Sequence, residues 1–332
     1  MSEHKVEIVP VTLTKHPNAD ALSIINIQGY TVCARTEDWQ GVYHAAYIEP
    51  DYEVPLDNPL FSFLQKPGKT KAFERIRVKK LRGVISQGLL VPAPKGTKIG
   101  DNVMEQLGVR RWDPPAPKVT QGEDGSAPPG IWTAKYDVES YRRYPRVIPE
   151  GELVVIREKI HGANARFVWH SEEDKLYVGS RTRWKEGDET QGDTIWHRAV
   201  KQNPWIKSVC FANPGVVMYG EVFGQVQSLK YGALNGQIFF AAFDFLKGNQ
   251  FIGAFEWMDL KQQHLIVPAP LLFNGPMPSK DVLEEMADGH STWKGADNIR
   301  EGIVIRAMRE RTDIRAGRAQ FKLVGNQYLM KS

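Results

Sequence analysis

The chain has 332 residues, enough for two domains with cores of their own, and its formal net charge of only +4 decides little about partners. No apolar run approaches the roughly 20 residues a membrane span needs, and Met1-Ser2-Glu3-His4-Lys5 lacks a signal-peptide pattern, so a cytoplasmic protein with no membrane partner is expected. Cys33 and Cys210 lie far apart without metal-like spacing, which argues against a disulfide or zinc framework and for buried free thiols.

Residues 1–112 read as a series of short strands: Val6–Val9, Leu22–Ile27, Val42–Ile48 and Gly88–Val91. Asp20, Gly29, Gly41 and Gly83 punctuate them, and this spacing predicts a small sandwich or barrel. The stretch Lys66–Arg82 holds Lys66, Lys69, Lys71, Arg75, Arg77, Lys79, Lys80 and Arg82 against Glu74 alone. Such a patch suits a phosphate backbone, because clustered cations release the counterions of a polyanion. Lys69, Lys71, Arg75, Lys79 and Lys80 are the nucleic-acid-binding candidates. Tyr43, Tyr47 and Phe73 could stack on bases, although barrel core is the stronger expectation for Tyr43 and Tyr47.

Asp113-Pro114-Pro115-Ala116-Pro117 and Ser126-Ala127-Pro128-Pro129-Gly130 bracket a polar stretch, which predicts a linker over 113–130. Residues 131–332 mix strands with a few helices: strands at Val154–Ile156, Val216–Tyr219 and Ile238–Phe243, helices over Thr194–Val209 and Asp281–Ala287. The fold class is therefore α+β.

Four segments of this second half set a charge beside or within an apolar strand. They are Glu158-Lys159-Ile160-His161-Gly162-Ala163-Asn164, Tyr219-Gly220-Glu221-Val222-Phe223-Gly224, Glu301-Gly302-Ile303-Val304-Ile305-Arg306 and Gln320-Phe321-Lys322-Leu323-Val324. Alone, Lys159 would read as a surface lysine at a strand end. A charge is costly to bury without a partner, so four such segments imply a shared polar site. Nucleotidyl transfer needs this combination. A lysine amine must lose its proton, from a reference pKa of about 10.4, to attack phosphorus. A neighbouring lysine, a divalent cation and partial desolvation all favour the neutral form. Two carboxylates with no His/Cys cluster suit a hard cation that keeps most of its waters.

The order Lys-x-His-Gly-x-Asn, Gly-Glu-Val-Phe-Gly, Phe-Asp, Glu-Gly-Ile-Val-Ile-Arg and Phe-Lys-Leu-Val resembles the covalent nucleotidyltransferases, specifically the ATP-dependent RNA ligases, over about residues 131–330. The resemblance implies that Lys159 carries AMP from ATP and that Lys322 contacts the α-phosphate. It implies that Glu221 and Glu301 organise Mg²⁺ or Mn²⁺, and that Glu158, Asn164, Arg181 and Phe243 complete the AMP site. Glu158 would act through its backbone and Phe243 by stacking on adenine. Arg306 is a nucleic-acid-binding candidate, and Arg309, Arg311, Arg315 and Arg318 stand near it. Two positions depart from the pattern: His161 stands where many relatives carry Asp, and Gln320 where many carry a second lysine.

Lys15–Ser23 and Arg82–Leu90 resemble the tRNA-binding OB module over about residues 5–110, with His16 as a turn or packing residue. An N-terminal OB-fold barrel joined to a ligase domain of antiparallel sheets with flanking helices is similar to the fifth RNA ligase family. That resemblance implies an enzyme that seals 3′-OH/5′-phosphate nicks in RNA or RNA/DNA duplexes and demands RNA on the 3′-OH side. No oligomerisation signal stands in the sequence, so a monomer is expected. The alternatives are a DNA ligase or capping-type nucleotidyltransferase, or a non-catalytic RNA-binding OB protein.

Overall fold

The computed structural model describes residues 4–65, 68, 71–112, 123–187 and 192–331. They form two compact units. One takes the described residues of 2–115, 141–145 and 329–332; the other takes those of 116–140 and 146–328.

In the N-terminal unit the strand His44–Ile48 is central, paired antiparallel with Glu7–Pro10 and Leu89–Pro92. Its side chains alternate between two cores. Ala46 and Ile48 pack with Val6, Ile8, Val54, Phe61 and Val91, while Ala45 and Tyr47 pack with Val9, Ile25, Val32 and Trp39. An unbroken apolar run is what a strand buried on both faces requires. Leu22–Ile27 pairs with Thr14–Lys15 and Tyr30–Arg35, and Tyr52–Pro55 pairs with Phe73–Arg75 and Arg110–Arg111. The basic run contributes the hairpin Lys79–Leu81/Val84–Ser86. His16 clips that hairpin as a buried turn residue. Its Nδ1 accepts from the Asn18 amide at 3.1 Å and its Nε2 faces the Leu81 carbonyl at 3.2 Å. Residues 141–145 are tied to this unit by Arg143, whose Nη2 donates to Glu49 at 2.5 Å.

The C-terminal unit holds a seven-stranded and a five-stranded sheet. The seven-stranded sheet is built around Ala163–His170, Val216–Gly224 and Ile238–Lys247; the five-stranded sheet has Gly302–Ala307 between Leu153–Lys159 and Gln320–Val324. Most pairs are antiparallel, and a large apolar core of Phe167, Val178, Met218 and Phe240 lies between the first sheet and two helices, Ile195–Gln202 and Trp205–Ala212. These two helices replace the single one expected over Thr194–Val209. Pro204 lacks the amide that would continue the ladder and disfavours helical backbone at Asn203, so the chain stops and restarts there. The helix Ala254–Gln263 was not expected from the sequence. The linker expectation falls partly outside the described residues, which omit 113–122. Within its remainder, Asp124–Gly125 pairs with Trp184–Lys185 as part of the seven-stranded sheet.

Candidate active site

Strand register brings the charges together. Directly paired residues point to the same side of a sheet. In the five-stranded sheet the rows are Lys159–Gly302–Val324, Arg157–Val304–Lys322 and Val155–Arg306–Gln320. Lys159 and Lys322 therefore share one face, one row apart. The middle of the first row must be glycine: a Cβ on Gly302 would lie 2.3 Å from the Leu323 carbonyl oxygen. In the seven-stranded sheet Asn164, Glu221 and Ala241 form one row.

Lys159 ends its strand with Nζ 2.7 Å from Glu301 Oε1. Burial alone would raise the Glu301 carboxyl, but the Lys159 ammonium holds it down to about 2. Glu221 behaves in the opposite way: burial pushes it up to about 8 against the pull of Lys159, and the charge of Glu301 adds to the rise. The Gly162 amide donates to Glu221, and a Cβ on Gly162 would lie 2.2 Å from the Val222 carbonyl oxygen, so that turn also requires glycine. Arg181 acts on Glu221 electrostatically. Asn164 is held by its carbonyl, which accepts from Trp196 Nε1 at 3.0 Å.

Three buried oxygens of these motifs, Glu158 Oε1, Asn164 Oδ1 and Glu301 Oε2, lack a partner at hydrogen-bond distance among the described residues, His161 Nδ1 standing 3.6 Å from the last. Buried polar atoms are ordinarily satisfied, so this cluster has the character of a ligand site. Among the described residues no group of three or more His, Cys, Asp or Glu could hold a metal. A hard cation here would take Glu221 and Glu301 and complete its shell with water and phosphate oxygens, which fits this donor set.

The family model for RNA ligase matches residues 152–324. The chain belongs to the RNA ligase family. An OB-fold domain model matches residues 6–93. No curated protein matches the chain. Among solved structures, the Naegleria gruberi RNA ligase with ATP and Mn, in a lysine-to-alanine mutant, is 23% identical with a TM-score of 0.80, covering 99% of each chain. Another lysine-to-alanine mutant of that ligase, in its apo form, is 24% identical with a TM-score of 0.81 over 98% of each chain, and its complex with PPi is 22% identical with a TM-score of 0.79 over 99% of each. At this identity the likeness shows the fold, an OB domain followed by a ligase domain.

Lys159, His161 and Glu301 lie together, Asn164 pairs with Glu221 across the sheet, and Lys159, Glu301 and Arg181 all act electrostatically on Glu221. The Glu158 amide is already used, donating to the Pro270 carbonyl at 2.9 Å. Its side chain, 2% exposed, accepts from the Thr292 amide and hydroxyl at 2.7 and 3.1 Å. Phe243 is the unpaired residue of a β-bulge: Tyr219 faces Asp244 and Gly220 faces Ala242. A bulge re-aims a side chain, and the Phe243 ring lies 4.8 Å from that of Tyr136. Gln320 is buried and turned to Tyr136, whereas Lys322, on the same sheet face, is half-buried.

The nucleic-acid candidates divide. Lys79 and Lys80 are exposed on their strand, and so is Lys71, which pairs with Glu74 at 3.3 Å. Lys69 lies outside the described residues. Arg75 is a correction: Asp51 neutralises it at 2.5 Å and its guanidinium lies 3.4 Å from the Trp112 ring centroid, so it braces the barrel. Arg306 is a second correction. It is 7% exposed and paired with Asp244 and Glu310, so it is not offered to a backbone in solvent. Arg311 and Arg318 are likewise held by Glu152 and by Asp244 with Glu310, which leaves Arg309 and Arg315 exposed. Tyr47 is core, as expected, but Tyr43 is 79% exposed.

Sequence reading missed the groups around His161. Its amide donates to the Tyr231 hydroxyl at 2.8 Å, and its ring meets Ser228 and Tyr328. These partners lie 67 to 167 residues away, and no local pattern announces them.

Proposed function

We propose that this RNA ligase uses ATP, carries AMP on Lys159, and joins a 5′-phosphate to a 3′-OH at nicks in RNA or RNA/DNA duplexes, acting as a monomer. The observation that carries the reading is the Lys159 amine set 2.7 Å from Glu301 with Glu221 close enough to feel both charges. The solved Naegleria gruberi ligase complexes with ATP and Mn, AMP and Mn, and PPi support the same chemistry.

Lys159 Nζ attacks the α-phosphorus. An N–P bond forms, the bond to the β-phosphate oxygen breaks, and pyrophosphate leaves with its electron pair. The AMP then passes to a 5′-phosphate, and a 3′-OH attacks that phosphorus and expels AMP. Lys322 projects from the Lys159 face, one row away, where it can offset charge on the α-phosphate. Asn164 and Arg181 line the nucleotide side, with the Phe243 ring as a platform for adenine. A neutral Lys159 leaves Glu301 without its counter-charge; Mg²⁺ or Mn²⁺ held by Glu221 and Glu301 would supply that charge and would stabilise the phosphoryl oxygens.

The test is sealing of two nicked duplexes, identical except for RNA or DNA at the 3′-OH side, with ATP and either metal. Sealing of the RNA-ended nick alone is expected. Equal sealing of both would move the protein to DNA ligase specificity, and GTP replacing ATP would point to a capping-type enzyme.

A further inference from the structure

We infer that Tyr328 is a positioning residue of the ligase site: through His161 it fixes the Glu301 carboxylate that faces Lys159. The inference rests on the reading of Lys159 as the AMP-bearing nucleophile. The Tyr328 hydroxyl is hydrogen-bonded to His161 Nδ1 at 3.2 Å, and the two rings lie 5.4 Å apart, tilted by 58°. His161 Nε2 meets Ser228 Oγ at 3.1 Å, so the imidazole is gripped at both nitrogens. Held this way, Nδ1 lies 3.6 Å from Glu301 Oε2, while Oε1 of the same carboxylate takes Lys159. The carboxylate is thus bounded by the nucleophile on one side and the imidazole on the other. Without the Tyr328 hydroxyl the Nδ1 side of the ring keeps only the longer 3.6 Å approach to Glu301, and the ring can pivot about its bond to Ser228.

The backbone places Tyr328 deliberately close to the residue it steers. Strand Gln320–Val324 runs directly into the short helix Asn326–Lys331. At the junction the Gly325 amide donates to the Glu301 carbonyl at 2.9 Å, and the Gln327 amide donates to Asp288 Oδ1 at 2.9 Å. A Cβ on Gly325 would lie 2.5 Å from the Ala287 carbonyl oxygen, so the junction packs against its neighbour without slack. Tyr328 is therefore in fixed register with Glu301, although 27 positions separate them in sequence.

The experiment uses the full chain and measures radiolabelled AMP transfer to Lys159 in single turnovers. It compares wild type, Tyr328→Phe, His161→Ala and the double variant, with thermal melts as the folding control. Tyr328→Phe is expected to slow labelling at saturating ATP about five- to tenfold, the worth of one hydrogen bond, with KM for ATP nearly unchanged. In the His161→Ala background the same change is expected to have no further effect, because its route runs through the imidazole. Wild-type labelling rates in Tyr328→Phe, or losses that multiply in the double variant, would overturn the inference. Wild type that takes no label, like Lys159→Ala, would instead sink the nucleophile reading. The imidazole nitrogen resonances of His161 then carry the test by themselves, and their failure to move in Tyr328→Phe would overturn the contact.

Discussion

Gln320 donates through Nε2 to the Tyr136 hydroxyl at 2.8 Å, and that hydroxyl donates to Asp244 Oδ2 at 2.8 Å. Asp244, fully buried, also accepts from Arg306 at 3.2 Å and from Arg318 at 2.7 Å. The network joins the strand of Asp244, in the seven-stranded sheet, to those of Arg306 and Gln320 in the five-stranded sheet. It explains the departure at Gln320. A lysine there would bring a third cation to one carboxylate that already serves two. Gln320→Lys is therefore expected to destabilise the chain by about 2–4 kcal/mol, since a buried charge without a partner is costly. It should bring no gain in AMP labelling. Chemical unfolding and a labelling assay side by side check this; an unchanged melting point or a faster enzyme would refute it.

Glu310 in the same network gives a pH dependence. Burial would raise its carboxyl, but the hydrogen bonds and charge of Arg318, with Arg306, hold it below its ordinary value. A carboxyl depressed in the folded chain binds its proton more readily when unfolded. Its stabilisation is present above the unfolded value, about 4.3, and is lost as pH falls through the lower folded value. Glu310→Gln is expected to lower the melting temperature at neutral pH and to flatten the acid limb. Melting curves from pH 7 down to about 3 should converge with wild type at the acid end.

The same electrostatics show what sequence could and could not tell. Lys159, Glu221, Glu301 and Lys322 stood out because each is a charge in or beside an apolar strand; strand pairing puts Lys159 and Lys322 on one face of the five-stranded sheet, and Lys159 meets Glu301 and acts on Glu221. Closely spaced strands and turns made a small sandwich or barrel legible, and the resemblance carried by Lys15–Ser23 and Arg82–Leu90 made it an OB domain. Arg75 and Arg306 were misread because a cation by itself looks like surface. Whether it is buried depends on a carboxylate elsewhere in the chain: Asp51 for Arg75, and Asp244, 62 positions away, for Arg306. Tyr328 and Thr292 were invisible for a related reason, since their roles exist only through distant contacts with His161 and Glu158. The break at Pro204 was legible and was read through.

Lys159 separates charge from nucleophilicity. Lys159→Arg keeps a cation against Glu301, so stability should change by less than about 1 kcal/mol while the AMP adduct disappears, because a guanidinium is not a nucleophile at these pH values. Lys159→Ala should lose the adduct and also leave Glu301 as an unpaired buried carboxylate. The stabilisation that accompanies a Glu301 value near 2 is present above about 4.3 and lost as pH falls towards 2. Lys159→Ala is therefore expected to cost about 1–3 kcal/mol at neutral pH without metal. Melts of both variants in chelator, with mass spectrometry for the adduct, check the pair; an adduct on Lys159→Arg would mean that another residue carries AMP.

The basic hairpin and the Arg75 brace make opposite predictions for RNA binding. Lys79 and Lys80 are exposed on one short strand, so Lys79→Ala and Lys80→Ala should weaken binding to any duplex of the same length to a similar degree. Each lost phosphate contact should also reduce the slope of log affinity against log salt by about 0.9, or about 0.7 for single strands. Both variants should melt like wild type, because surface substitutions typically shift stability by less than about 0.5 kcal/mol. Arg75→Ala should do the reverse. It removes the partner of Asp51 and the cation stacked on Trp112, so the OB unit loses stability while the salt slope stays where it was. Binding titrations at several salt concentrations read the slope directly. An unchanged slope in the Lys79→Ala, Lys80→Ala double variant would remove the hairpin from the RNA interface and leave other exposed cations, such as Arg309 and Arg315, to carry it.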